Sequence, residues 1–364
     1  MVSLNQQQIL VVKLIVICMA ILSMAGGVFS GLLRLGLNAS WFLNPHPMAH
    51  GPLMVCGFLG AVISLERAVA LGKTWSYAAP VIAGIGGIGA LFSLPLFQAV
   101  LLFVIASIIF SITTLLICIR QPAMFTGVLL LGSVSWLAGN LLWLNGSLLE
   151  QVVPWWICFL VFTIAGERLE LTRFLRPSNK SKYLFILVIA LTLTGAIVSM
   201  LYETLNVKLF SVGLLGLSIW LGKQDIARHT IQKRGLPRYM AICLLSGYMW
   251  LFIGSMIGIQ ATYLLMASSY DAFLHTIFVG FVFCMVFGHA LIILPAVAKI
   301  KLMYHPIFYL PVFLLHVSLT IRLFGDIFYN HNLRIIGGAF NTITILIFAL
   351  CILSAFFSHK QTTS

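Results

Sequence analysis

Acidic side chains are the scarcest feature of this chain: Asp and Glu together number 8 in 364 residues, and all charged residues make up 8%. A chain so poor in charge and 61% hydrophobic cannot cover a core with a water-facing surface. A soluble globular protein is excluded. Long polar stretches are also missing. The most extended one, around residues 223–238, is a loop, so no soluble domain of any size accompanies the apolar part. The seven cysteines (Cys18, Cys56, Cys118, Cys158, Cys243, Cys284 and Cys351) all fall in apolar runs, and none forms a CxxC. They read as small packing residues, not as disulfides or thiolate ligands. The first apolar run has no small-residue cleavage site and is expected to be a retained span, not a signal peptide.

What is present is a series of apolar runs, each long enough to cross a bilayer as a helix. Twelve occur, at roughly 9–34, 49–72, 76–95, 97–119, 123–145, 151–172, 182–202, 206–222, 239–263, 271–298, 304–325 and 332–357. Only Leu94-Pro95 separates the third from the fourth. The expected fold is an all-α polytopic membrane protein, one integral membrane domain over residues 1–364.

Basic residues orient it. With the N-terminus inside, inner segments hold 17 Lys and Arg and outer segments hold four: Arg34, Lys208, Arg322 and Arg334. Both termini are therefore expected in the cytoplasm, in a plasma or inner membrane. The net charge of +13 follows from this topology and does not point to nucleic acid. Anionic lipid headgroups are the expected partners of the basic loops around 173–182 and 223–238.

Three stretches align with one another: GFLGAVISLERAVALGKTWSY from Gly57, CFLVFTIAGERLELTRFLRP from Cys158 and GFVFCMVFGHALIILPAVAKIK from Gly280. Each begins with a small residue and a Phe (Phe58, Phe159, Phe281). Nine residues after the small residue stand Glu66, Glu167 and His289, then an apolar run and a basic exit. These are spans two, six and ten, each four helices after the last. Trp136 in span five and Trp250 in span nine add a weaker echo. Shared Gly and Phe are common in membrane helices, but a repeated Glu-Arg is costly and rare there. Three pseudo-repeats of four helices are expected, about 9–119, 123–222 and 239–357.

Of nine histidines, His229, His305, His331 and His359 read as loop residues. His50 opens span two and His275 opens span ten, seven and five residues before their small-Phe pairs. Both helices run inward, so both imidazoles are expected at nearly one depth in the outer third. Two histidines at one depth suit bis-imidazole ligation of a haem iron; hydrogen bonds to interfacial carbonyls are the alternative. His46, four residues before His50, forms HxxxH with it, but Pro45 and Pro47 argue for a turn before the helix.

Twelve spans, three pseudo-repeats and these two histidines resemble the catalytic subunit of haem–copper oxidases. His50-Gly51-Pro52-Leu53-Met54 resembles the HGxxM of the oxidase second span, and the apolar run with Met and Gly after His275 resembles the tenth. The chain is also similar to NnrS, the haem- and copper-containing membrane proteins of the nitric-oxide response, which carry a histidine followed by a GF pattern in their second span. The resemblance implies haem b held by His50 and His275, with copper as a candidate second metal. Arg34 and Arg322 would then neutralise the propionates, lipid phosphate being the other anion available to them. It further implies electron transfer, or binding of or response to nitric oxide or a similar small gas, with a small gas or an electron-transfer partner.

The departures restrict that reading. Phe273 stands where oxidases carry the high-spin haem histidine. The stretch Glu150 to Trp156 offers neither the copper histidine nor the tyrosine of the oxidase sixth span, and 182–202 holds no histidine pair. The usual binuclear centre is missing, and whether the chain is an enzyme stays open.

Glu66, Glu167 and His289 are expected at one depth in the inner third. At about 1.5 Å per residue, His289 lies about 21 Å from His275 and cannot reach the same iron. This layer, with His316 of span eleven, suits a second metal site, a proton path, or a structural network in which Glu66 pairs with Arg67 or Arg168. Two rival functions remain beside the haem protein: a haem-free ion- or proton-coupled transporter or channel lined by Glu66, Glu167, His289 and His316, and an oxidase assembly factor.

Overall fold

The computed structural model describes residues 5–37, 46–92, 94–200, 206–260 and 267–361. Among the described residues there are helices and turns and no strand. Helices are what the hydropathy demands, since in lipid each main-chain N–H and C=O must be satisfied within its own segment. Among the described residues twelve long helices form: α1 (Gln6–Arg34), α2 (Pro47–Leu71), α3 (Ala78–Leu91), α4 (Leu96–Arg120), α5 (Met124–Leu144), α6 (Leu149–Thr172), α7 (Asn179–Val198), α8 (Asn206–Gln224), α9 (Leu236–Ile259), α10 (Ser268–Ala298), α11 (Tyr309–Ile327) and α12 (His331–Gln361).

Eleven of these are long and apolar enough to cross a membrane. The one that falls short is α8, where Asn206, Lys208 and Lys223 dilute a 19-residue helix. The far ends of the expected runs 182–202 and 239–263 lie outside the described residues. The chain divides into two compact units, Met1–Phe159 and Leu160–Ser364, with the boundary inside α6. That boundary differs from the expected repeat boundaries near 119–123 and 222–239.

In the first unit, α1 starts on a capping box in which Asn5 accepts from Gln8 N and Gln8 answers to Asn5 N. Its small residues make a bed for α2 and α3. A Cβ placed on Gly57 would stand 3.0 Å from the Gly87 Cα and 2.9 Å from the Ser23 side chain, so α1, α2 and α3 meet backbone to backbone there. Helix α2 ends at Gly72, whose φ of +68° suits a glycine C-cap. Beyond it, α3 packs on α4 and α4 on α5.

In the second unit α7 pairs with α8, α8 with α9, α9 with α10 and α11 with α12. The α11–α12 contact is built on two glycines. A Cβ on Gly337 would stand 2.6 Å from the Arg322 Cα, and one on Gly325 would stand 2.9 Å from the Arg334 Cα. Only glycine lets these backbones touch, and both contacts lie beside an arginine that the site below uses.

Helices α2 and α10 share a departure from α geometry. Each contains an eight-residue π-helical segment, Leu53–Gly60 in α2 and Thr276–Phe283 in α10. The small-Phe pairs Gly57-Phe58 and Gly280-Phe281 occupy the same positions within these two segments. The aligned stretch of α6 is α-helical throughout and carries Pro154. π-segments are uncommon and concentrate at functional positions.

Candidate functional site

His50 opens the path into the first π-segment. The chain enters α2 through a short 3-10 turn, Pro47–Ala49, capped by His46, whose Nδ1 accepts from Met48 N at 3.2 Å. His46 is therefore the turn residue that its flanking prolines indicated. His50 points its Nδ1 to the Gly27 carbonyl of α1 at 2.7 Å. A carbonyl only accepts, so the hydrogen bond places a proton on Nδ1. The ring lies on Gly31, where a Cβ would stand 2.9 Å from Nδ1.

Beneath His50 is a buried polar relay that no sequence pattern singled out. Trp136 Nε1 donates to Cys56 Sγ at 3.4 Å, and Trp156 Nε1 donates to Asn140 Oδ1 at 3.0 Å. Asn140 in turn donates to the Phe103 carbonyl at 3.2 Å, and Cys56 lies 3.5 Å from Asn140 Oδ1. Trp136 covers Gly60 in the π-segment and stacks on Phe159 at 5.1 Å. Every member of this relay is satisfied, which holds the α2 π-segment in one arrangement.

His275 stands one residue before the second π-segment. Its Nδ1 is 2.9 Å from the Asp271 carbonyl oxygen and 3.3 Å from Asp271 Oδ1. Both partners accept, so a proton again sits on Nδ1. Asp271 anchors a larger ionic group. Arg322 reaches its Oδ2 through Nη2 at 2.8 Å and Nε at 3.2 Å, and Arg334 Nη2 lies 3.5 Å from its Oδ1. Arg334 Nε is also 3.2 Å from Oδ1 of the buried Asp326. Asp271 joins His275 and Arg322, two separate candidates in the sequence. Asp271, Asp326 and Arg334 were not among the expected site residues, although two of the three aspartates in so uncharged a chain were a readable signal. Arg34, in contrast, is exposed in the last turn of α1.

The inner layer divides. In the first unit Glu66 pairs with its neighbour Arg67 at 3.1 Å. In the second unit the charges of Glu167, Arg168 and Asp225 all act on His289. His289 donates from Nδ1 to the Met285 carbonyl at 2.6 Å, while its Nε2 is buried without a hydrogen-bond partner, as is Arg168 Nε. Asp225, also absent from the sequence reading, is fully buried. It accepts from Tyr248 Oη at 2.6 Å and from Ala227 N at 2.7 Å. His316 receives the Trp250 indole N–H on Nδ1 at 2.8 Å, which leaves its own proton on Nε2. Among the described residues no three His, Cys, Asp or Glu gather as a metal site.

A family model matches residues 13–357, nearly the whole chain. The chain belongs to the family described as a domain of unknown function, DUF8744. No curated protein matches it. The match takes in both π-segments and every residue of the two ionic groups, so these features lie within the family's own extent.

Proposed function

We propose that this chain is a haem-b-binding integral membrane protein, similar to haem–copper oxidase subunits and to NnrS, with His50 and His275 as the iron ligands. The observation that carries the proposal is the matched preparation of these two imidazoles. Each donates Nδ1–H to a main-chain carbonyl, and an eight-residue π-segment begins three residues after His50 and one residue after His275. Haem iron takes a neutral imidazole through one nitrogen while the other N–H is held by a carbonyl or carboxylate.

Bound haem would supply one-electron transfer or an iron centre for a small gas. The protein's share is to fix ring tautomer and orientation through Gly27 and Asp271 and to keep water away with Trp136, Trp156 and the π-segment residues. A standard binuclear centre is no part of this reading. The membrane is the plasma or inner membrane, with both chain ends on the cytoplasmic side.

Purified in detergent, the wild type is expected to show a Soret band, with iron in proportion to protein. His50→Ala and His275→Ala each weaken the band, and the double substitution removes it. A preparation with no Soret band, or a band that survives the double substitution, overturns the proposal.

A second reading, a haem-free proton or ion transporter, has support from the buried, unpaired His289 Nε2 and Arg168 Nε beside Asp225. Its mark is proteoliposome flux without any chromophore, lost in His289→Ala.

A further inference from the structure

A polar stripe runs along the α11–α12 contact. Asp326, Arg322 and Ser318 stand four residues apart on α11, hence on one helix face, and Arg334, Asn341 and Thr344 answer from α12. All but Arg334 are buried, and Ser318 donates to Asn341 Oδ1 at 2.7 Å. Asp326 lies at the head of the stripe, beside the turn 328–330 that joins the helices, with its side chain 0% exposed. Among the described residues no donor is aligned on either of its oxygens. Arg334 Nε comes within 3.2 Å of Oδ1 without making a hydrogen bond. A buried carboxylate met so poorly is costly, and such a group takes up a proton instead. The carboxyl group of Asp271 lies within hydrogen-bond reach of it. Two carboxylates only accept, so a hydrogen bond between them requires a proton on one. Arginine decides which one. Asp271 receives two N–H groups from Arg322, at 2.8 and 3.2 Å, and keeps its charge, which leaves the proton to Asp326. The charged and titratable groups facing Asp326 are thus Asp271 on α10, Arg322 on its own helix and Arg334 on α12, with His275 behind Asp271.

We propose that Asp326 is a proton-binding site whose carboxylic acid donates to the Asp271 carboxylate and exchanges its proton at the exposed turn 328–330. The ligand is a proton, and every residue of the site belongs to the second unit. Loss of the proton sets two like charges against each other between α10 and α11, so occupancy is coupled to the fit of these helices. The inference calls on no cofactor and is separate from the haem reading.

The test is infrared absorption of the purified protein in detergent at neutral pH, where a protonated carboxyl absorbs apart from a carboxylate. The wild type is expected to show a protonated-carboxyl band that shifts in heavy water. Asp326→Asn removes that band, because its amide donates to Asp271 in place of the acid. Asp225→Asn, which alters a buried aspartate elsewhere in the second unit, leaves the band in place. A merely structural Asp326–Arg334 ion pair would be ionised and would give no band. A wild type without the band overturns the proposal, and so does a band that survives Asp326→Asn. Should Asp326→Asn fail to fold, isotope-labelled aspartate decides. In Asp225→Asn only Asp271 and Asp326 carry the label. A displaced band then supports the proposal, and an undisplaced one places the proton on a glutamate and overturns it. The Soret band enters none of these outcomes, so haem binding stands or falls separately.

Discussion

Trp250 donates its indole N–H to His316 Nδ1 across 2.8 Å, and the two rings stack with centroids 6.2 Å apart. The same indole backs onto Gly280, inside the π-segment that follows His275; a Cβ there would stand 2.6 Å from the Trp250 Cβ. One tryptophan thus links the irregular part of α10 to α11, and His316 is its acceptor.

Trp250→Phe leaves that acceptor in apolar surroundings without its donor. The expected destabilisation is about 1–3 kcal/mol. Combining it with His316→Leu should recover part of the loss, since removing both partners costs less than stranding one. Thermal or denaturant unfolding in detergent checks this. Additive losses in the double variant would show that the hydrogen bond does not couple the helices. The Soret band should be unaffected, because neither residue is assigned to the iron.

Gly31 offers a way to disturb His50 without altering any ligand. A methyl group there would stand 2.9 Å from Nδ1 and 3.0 Å from Cε1, so the ring must turn away from the Gly27 carbonyl. Gly31→Ala is expected to lower haem content per protein severalfold. Gly127→Ala is the control, since a Cβ at Gly127 meets nothing within 4 Å. Replacing glycine in an open helix interior should stabilise by about 0.5–1 kcal/mol and leave the spectrum alone. Equal haem content in the two variants would remove Gly31 from the site.

Hydropathy made most of this architecture legible. Eleven expected spans appear as apolar helices, because a long oily segment has few other ways to satisfy its backbone. The weakest in hydropathy is α8, whose Lys208 and Lys223 were visible in the sequence. His46 was readable as a turn from Pro45 and Pro47. The π-segments were not readable: π and α geometry share one hydrophobic pattern, and the choice depends on packing such as Trp136 against Gly60. Asp225, Asp271 and Asp326 were passed over although they are the chain's only aspartates. Only the pairings of Asp271, with Arg322 and Arg334, join residues far apart in sequence; Asp326 meets Arg334 of the next helix. Asn140 carried no signal at all.

Asp225 tests the inner ionic group. Tyr248→Phe removes its 2.6 Å hydrogen bond and leaves a fully buried carboxylate with a main-chain donor from Ala227. A lost hydrogen bond to a charged group predicts about 1.5–3 kcal/mol of destabilisation. Asp225→Asn in the Tyr248→Phe background should recover some of it by removing the charge. Unfolding of the four proteins of this cycle reads the coupling directly. Independent effects would mean that the bond holds nothing together.

The two histidines of His46-Pro47-Met48-Ala49-His50 should separate in a single experiment. His46 caps the turn by accepting from Met48 N, a role that asparagine also fills, so His46→Asn is expected to be nearly neutral. His46→Ala loses the cap and about 1 kcal/mol of stability, with the haem spectrum unchanged. His50→Ala should do the reverse. Its loss falls on the Soret band, and the helix start survives because the cap and Pro47 remain. Stability and absorbance measured on the same three preparations decide between the roles. If His46→Ala bleached the band as fully as His50→Ala, the capping role would be wrong, and His46 would join His50 as a proposed ligand.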